Sequence, residues 1–344
     1  MTPVFPCLRS PLPRAFARSP AIPNPESRIR NEMRIFRIIV GVALLAAARA
    51  ESQVGRDTMK LVVPPNALTF LAMGDWGRNG ELNQRDVARE MAAAARHLDA
   101  QFVLALGDNF YPNGVQSTAD PQWRASFEDV YTAHSLNVDW YVALGNHDYR
   151  GSVQAELDYA KISRRWRIPA RYYSVKKTVS LGVVAEFLVI DTSPFIKDYR
   201  SEPDKYAVAG TDTAAQRKWL DSTLKASTAK WKFVVGHHNV YSGGKRPVLE
   251  DIEKFLVPRL KKYGVTAYIC GHEHQLEHIV PAGSTSHYFI SGAGSETRDA
   301  EGMAGTRFVS SRAGFFAMSL TADTVFVQAV DFEGKMLYRT AIGR

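Results

Sequence analysis

The chain has 344 residues, 45% of them hydrophobic and 23% charged. That is an ordinary globular composition, enough for one large domain or two smaller ones. The formal charge of +8 is local, because residues 1–50 hold eight Arg against two Glu and leave +2 for the remainder. This excludes a nucleic-acid footprint over the body of the chain. Cys7 lies in the same leader, so Cys270 stands alone beyond it and an internal disulfide is excluded. Behind a buried strand, Cys270 reads as a small hydrophobe.

In chain order, residues 1–50 read as a leader. Arg34 and Arg37 precede the apolar run 38–48, and Ala48-Arg49-Ala50 fits a small-x-small cleavage site, which together read as a signal peptide over about 33–50. The run is shorter than the roughly 20 apolar residues of a spanning helix, so no stable membrane anchor is expected. Residues 1–32 read as an over-long start with Met33 as the initiator, or as a transit peptide, and the exported product is expected in the periplasm or secreted. Residues 51–65, ending in Pro64-Pro65, read as a linker, and 66–344 as one domain. Buried strands are expected at 68–73, 102–106 and 138–144, helices at 83–98 and 121–132, then strands at 171–175 and 181–191. A helix at 211–226 capped by Thr211 or Thr213, a strand at 232–235, a helix at 248–263 closed by Gly264 and a strand at 265–270 follow. Short β segments near 276–281, 286–291, 314–320, 323–331 and 335–342 complete the chain. The alternation of strand and helix indicates an α/β fold.

Five of these strands end alike: an apolar run, a Gly, then a side chain able to bind metal. They lead to Asp75, Asp108, Asn146, His237 and His272. A Gly at the exit lets the backbone turn so that the next side chain aims at a shared point. One such end is usually an N-cap or a turn, but five in one chain are not chance. Asp108 has two oxygens, one for each of two cations, and Tyr111 adds a phenol that ionises only beside a strongly acidic metal. Carboxylate, phenolate and imidazole suit Fe(III), Zn(II), Mn(II) or Fe(II) and disfavour soft metals. Two such ions can clamp a phosphoryl group and supply hydroxide near neutral pH.

The blocks Gly-Asp-Trp-Gly, Gly-Asp-Asn-Phe-Tyr, Gly-Asn-His-Asp, Val-Val-Gly-His-His and Gly-His-Glu-His, in this order, resemble the metallophosphoesterase signature. The Tyr of the second block resembles that of the purple acid phosphatases of the compact, tartrate-resistant type, over about residues 66–300. The resemblance implies a four-layer α/β/β/α sandwich. It implies Fe(III) on Asp75, Tyr111, His274 and bridging Asp108, with a divalent Fe, Zn or Mn on Asp108, Asn146, His237 and His272. It also implies that His147 contacts phosphate and stabilises the transition state, with Asp148 orienting its ring. Asn109 is a phosphate contact or a loop hydrogen bond, both being open.

One departure stands out. Counting on from His237, the animal enzymes carry an acidic residue and a His where this chain has Lys245 and Arg246. Arg246 can grip a phosphate but not readily donate a proton. His147 or His238 then protonates the leaving group, or the substrates have good leaving groups. A second motif, His274-Gln-Leu-Glu-His278, matches the inverted zinc-protease pattern, which requires a helix that Pro281 leaves little room for. His278 is therefore expected at the surface or in a supporting position. The resulting expectation is an exported monomeric acid phosphatase acting on phosphomonoesters by metal-activated hydroxide, with no nucleic-acid partner. A phosphodiesterase or nucleotidase on the same metals is the rival enzyme. A non-catalytic phosphate- or iron-binding protein is the rival from outside enzymology.

Overall fold

The computed structural model describes residues 59–343. The expected leader and signal peptide, Cys7 and most of the expected linker lie outside the described residues. From 59 on, that linker is not free: Met59 and Leu61 are buried, and the backbone of Val62 exchanges two hydrogen bonds with the Gln328 side chain.

Apolar runs that alternate in which neighbour they meet produce two sheets. The first contains β1 (Leu68–Met73), β2 (Phe102–Leu106), β3 (Asp139–Ala143), β4 (Trp166–Arg167), β12 (Gly314–Leu320), β13 (Thr324–Asp331) and β14 (Met336–Gly343), in the order β14-β13-β12-β1-β2-β3-β4. The second contains β5 (Tyr173–Ser180), β6 (Val183–Val189), β7 (Trp231–Val235), β8 (Ala267–Cys270), β9 (Leu276–Ile279), β10 (His287–Ser291) and β11 (Thr306–Ser310), in the order β11-β9-β10-β8-β7-β6-β5. β1, β2 and β3 run parallel in one sheet, and β6, β7 and β8 run parallel in the other.

The period of two is visible in the packing. Phe187, Trp231, Phe233, Val235 and Ile269 face the core shared with the first sheet, where Phe70 meets Phe187 edge-on at 5.1 Å. The intervening Leu188, Val234, Tyr268 and Cys270 face the other way, onto Leu220 and Leu224 of α4 (Thr213–Ala226) and Ile252, Phe255 and Leu256 of α5 (Glu250–Lys262). On the opposite outer face, α1 (Gln84–Leu98) lays Val87, Met91, Ala94 and Leu98 against the first sheet. The layers are therefore helix, sheet, sheet, helix, as the four-layer expectation has it. Cys270 is a buried thiol serving as a hydrophobe.

Several local expectations are corrected. Residues 121–132 hold only a wide helical turn at Trp123–Glu128, whose Trp123 stacks on Tyr159 at 3.5 Å. Asp212, not Thr211 or Thr213, caps α4 by accepting from the Ala215 N–H. β5 is longer than expected and turns into β6 at Leu181-Gly182, with Leu181 in solvent and Gly182 at φ +76°. Two short helices, α2 (Val153–Tyr159) and α3 (Lys197–Ser201), and the strands β4 and β11 lie outside the sequence expectations, although Ser152 caps α2 by accepting from the Ala155 N–H. Among the described residues no helix is long and apolar enough to cross a membrane.

Candidate metal centre

β1, β2 and β3 from one sheet, and β7 and β8 from the other, bring their C-terminal ends to one place. Each is followed by a Gly, and among these five only Gly107 has a left-handed φ, at +87°. Close approach demands the others. A Cβ on Gly145 would lie 2.2 Å from Asp108 Oδ1, and one on Gly271 would lie 2.4 Å from Asp75 Oδ2. The positive φ sits instead on the donors themselves, Asp75 at 60°, Asp108 at 48° and His272 at 70°. A non-Gly residue there is strained, and such strain concentrates at functional sites.

The donor atoms form two sets that share one oxygen. In the first, the Tyr111 hydroxyl donates to Asp75 Oδ1 and Asp108 Oδ2, both at 2.9 Å. His274 Nε2 lies 3.2 Å from the same hydroxyl and 3.4 Å from Asp75 Oδ1. In the second, His237 Nε2 is 3.4 Å from Asp108 Oδ2 and 3.2 Å from His272 Nδ1. The expectation of one Asp108 oxygen per cation is corrected. Oδ2 faces both sets, while Oδ1 accepts the His147 backbone N–H at 2.8 Å. Asn146 lies between Gly145 and His147, both of which abut Asp108.

These residues fit metal ions. Neighbouring donors of a four- or six-coordinate cation with bonds of about 2.0–2.1 Å stand roughly 2.8–3.4 Å apart, which spans the 2.9–3.4 Å seen here. Asn146 Oδ1 is buried with no hydrogen-bond partner, an orphan acceptor that a cation would satisfy. Protons occupy the places of charge. Burial, Asp108 and Asp75 hold the Tyr111 phenol well above its ordinary pKa. Burial opposes protonation of His237, but Asp108 and Asp75 raise its pKa to about 9. Burial would also raise that of Asp108, yet the fields of His237 and His147 hold it well below the usual carboxylate range. Burial and the neighbouring imidazoles keep His272 neutral, the form that ligates.

His237, His238 and His272 also lie close enough to share an ion. However, His238 has both nitrogens engaged, Nδ1 with Thr192 at 2.7 Å and Nε2 with Tyr199 at 3.1 Å. Asn146 Oδ1 is the uncommitted donor. With its ring fully buried, His238 also keeps no nitrogen for a substrate oxygen, which corrects its expected place among the substrate contacts.

Other expected roles change as well. Asp148 does not orient His147: its oxygens accept from the Asn109 backbone and side chain and from the Gly145 N–H. The His147 ring is held by Pro112, whose carbonyl oxygen lies 2.6 Å from Nδ1. Asn109 is a loop anchor and no phosphate contact, since its buried amide donates to Ala143, Asp148 and Glu156. Arg246 is held next to the donor His272 by its neighbour Glu273, with Nη1 2.5 Å from that buried carboxylate and the Arg246 side chain 41% exposed. His278 is buried on β9, between the Tyr338 hydroxyl at 3.0 Å and His287 at 2.9 Å. The inverted zinc-protease pattern has no helix, since His274 precedes β9 and His278 lies on it, so its two His do not stack one turn apart.

Residues without a motif complete the site. Arg150 lies 3.1 Å from His147 Nδ1 and donates to the Tyr206 hydroxyl. Burial lowers the His147 pKa, with Arg150 acting in the same sense and Asp108 against it. Glu156, behind Asn109, is fully buried and pushed up to about 8 by that burial. Only the position of Arg150, three residues after His147, hinted at any of these.

The family model for calcineurin-like phosphoesterases matches residues 68–276, which end just past the last of the seven donors. The chain is 40% identical to purple acid phosphatase 7 of Arabidopsis thaliana over 237 residues, 67% of this chain and 71% of that one. It is 33% identical to human tartrate-resistant acid phosphatase type 5 over 302 residues, 81% of this chain and 91% of that one. Among solved structures it resembles GAP50, the anchor in the inner membrane complex of Plasmodium. There the TM-score is 0.71 at 24% identity, covering 80% of this chain and 89% of that one, a likeness of fold alone. The chain belongs to the calcineurin-like phosphoesterase family, in its purple acid phosphatase branch, and is a metal-dependent phosphoesterase.

Proposed function

We propose that this protein is an exported acid phosphatase that hydrolyses phosphomonoesters at a two-cation centre. Fe(III) would be held by Asp75, Asp108, Tyr111 and His274, and a divalent Fe, Zn or Mn by Asp108, Asn146, His237 and His272. The observation that carries this reading is the position of Asp108 Oδ2 within reach of both donor sets. Bound there, such cations would bring the pKa of a water toward neutrality and neutralise phosphoryl charge.

The chain's own side chains do the rest. His147 gives its Nδ1–H to the Pro112 carbonyl, so it meets a phosphoryl or leaving-group oxygen through Nε2, 3.9 Å from Asp108 Oδ2, in its protonated form, in which both ring nitrogens carry hydrogen. With His238 closed off, His147 is the nearer source of the leaving-group proton. Arg246, steadied by Glu273, grips a phosphate oxygen. Export rests on the leader, and the enzyme acts as a monomer without nucleic acid.

Turnover of an aryl phosphate and a bis-aryl phosphate by the metal-loaded enzyme tests this reading. A clear preference for the monoester is expected. A preference for the diester would reassign it to a phosphodiesterase or nucleotidase. Metal-loaded protein that turns over neither would be a phosphate- or iron-binding protein.

A further inference from the structure

Outside the donor sets, one ion pair touches two of their members. Arg78, just past the Gly-Asp-Trp-Gly block, places its guanidinium carbon 3.8 Å from the centre of the Tyr111 ring. Its Nη2 is 2.5 Å from Glu296 Oε2, and that same oxygen lies 3.7 Å from His274 Nδ1. Arg78 Nε and His274 Nδ1 are both buried without a hydrogen-bond partner, so the ring face and the carboxylate are what they meet. The placement is built in. The Arg78 N–H donates to Gln84 Oε1, the Tyr111 N–H to the Gly77 carbonyl, and the Ser295 hydroxyl to the Asp75 carbonyl. The Arg78 side chain is 18% exposed.

The geometry points to Arg78 and Glu296 as positioning residues that set the electron-donating strength of Tyr111 and His274, and through them the reduction potential and colour of the iron held there. This rests on the proposed ferric set. A cation over an aromatic face stabilises the filled ring orbitals, which makes the Tyr111 phenolate a weaker donor and favours reduced iron. A carboxylate facing the second nitrogen of a metal-bound imidazole strengthens that donor, which favours oxidised iron. The two residues therefore act in opposite senses, whereas a pair that merely closed two loops together would not.

The test uses the iron-loaded full chain, reading the visible spectrum of the oxidised protein and the Fe(III)/Fe(II) midpoint potential. Arg78→Gln is expected to move the charge-transfer band to longer wavelength and lower the potential, with Arg78→Lys restoring part of both. Glu296→Gln is expected to raise the potential. Unchanged spectra and potentials, or the two Gln variants shifting the potential in the same direction, would overturn the proposal. The ferric reading fails separately if the wild type shows no such band or if the band survives Tyr111→Phe, and this proposal then fails with it.

Discussion

The two donor sets match in spacing but differ in charge. Asp75, Asp108, Tyr111 and His274 bring two carboxylates and a phenol, whereas the other set adds to the shared Asp108 only an amide and two imidazoles. Each set holds a proton where a cation would sit: the Tyr111 proton between two carboxylates, and the His237 proton beside Asp108. Metal binding displaces such protons. The asymmetry teaches that one fold can present a hard, strongly anionic seat beside a nearly neutral one, simply by which loop each donor comes from. A trivalent ion suits the first and a divalent ion the second.

Removing the shared oxygen should erase the comparison. Asp108→Asn is expected to cost about 10³-fold in kcat, from the several kcal/mol of charge stabilisation that a pair of cations provides. Metal content per chain should fall below two by elemental analysis. Retention of both ions and of turnover would mean that Asp108 does not join the sets. Breaking one seat at a time gives smaller, separable effects. Tyr111→Phe should abolish the visible absorption while leaving the divalent seat occupied. Asn146→Ala should leave the colour and weaken the divalent ion by at least about 10–100-fold, the cost that even supporting residues of metal sites incur. Titration with Zn or Mn followed by calorimetry reads the difference.

The smallest effect lies behind the anionic seat, at Glu156. Burial pushes its carboxyl from 4.5 up to about 8. The native state therefore holds a proton that the unfolded chain releases between those values. Its contribution is full below about pH 4.5 and is lost as pH rises toward 8. Glu156→Gln, still able to accept from Asn109, should flatten that decline. A stability gain on the order of 1–3 kcal/mol at pH 8, read by urea unfolding, is expected from relieving a buried charge. An unaltered pH dependence would place the ionisation elsewhere.

Long strands and their exits were legible in the sequence because each is a local pattern: an apolar run, a Gly and a polar donor. The helix at 84–98 was legible because its buried residues recur at helical spacing. α2, α3 and β4 were not, since pieces of two to seven residues are stabilised by what they pack against. Likewise, Asn109 could be read as a ligand contact until Ala143, Asp148 and Glu156 were seen to surround its amide.

By itself the sequence determined the donor inventory, its order along the chain and the family, because residue type and spacing are local properties. Only the tertiary structure decided which oxygen of Asp108 is shared, that Asp148 supports Asn109 and not His147, and that His238 is closed to substrate. It alone brought Arg78 over Tyr111 and Arg246 onto Glu273. Those outcomes depend on distances between segments far apart in the chain, as Asp108 is from His237, and such distances are set by how two sheets pack, which no local pattern encodes.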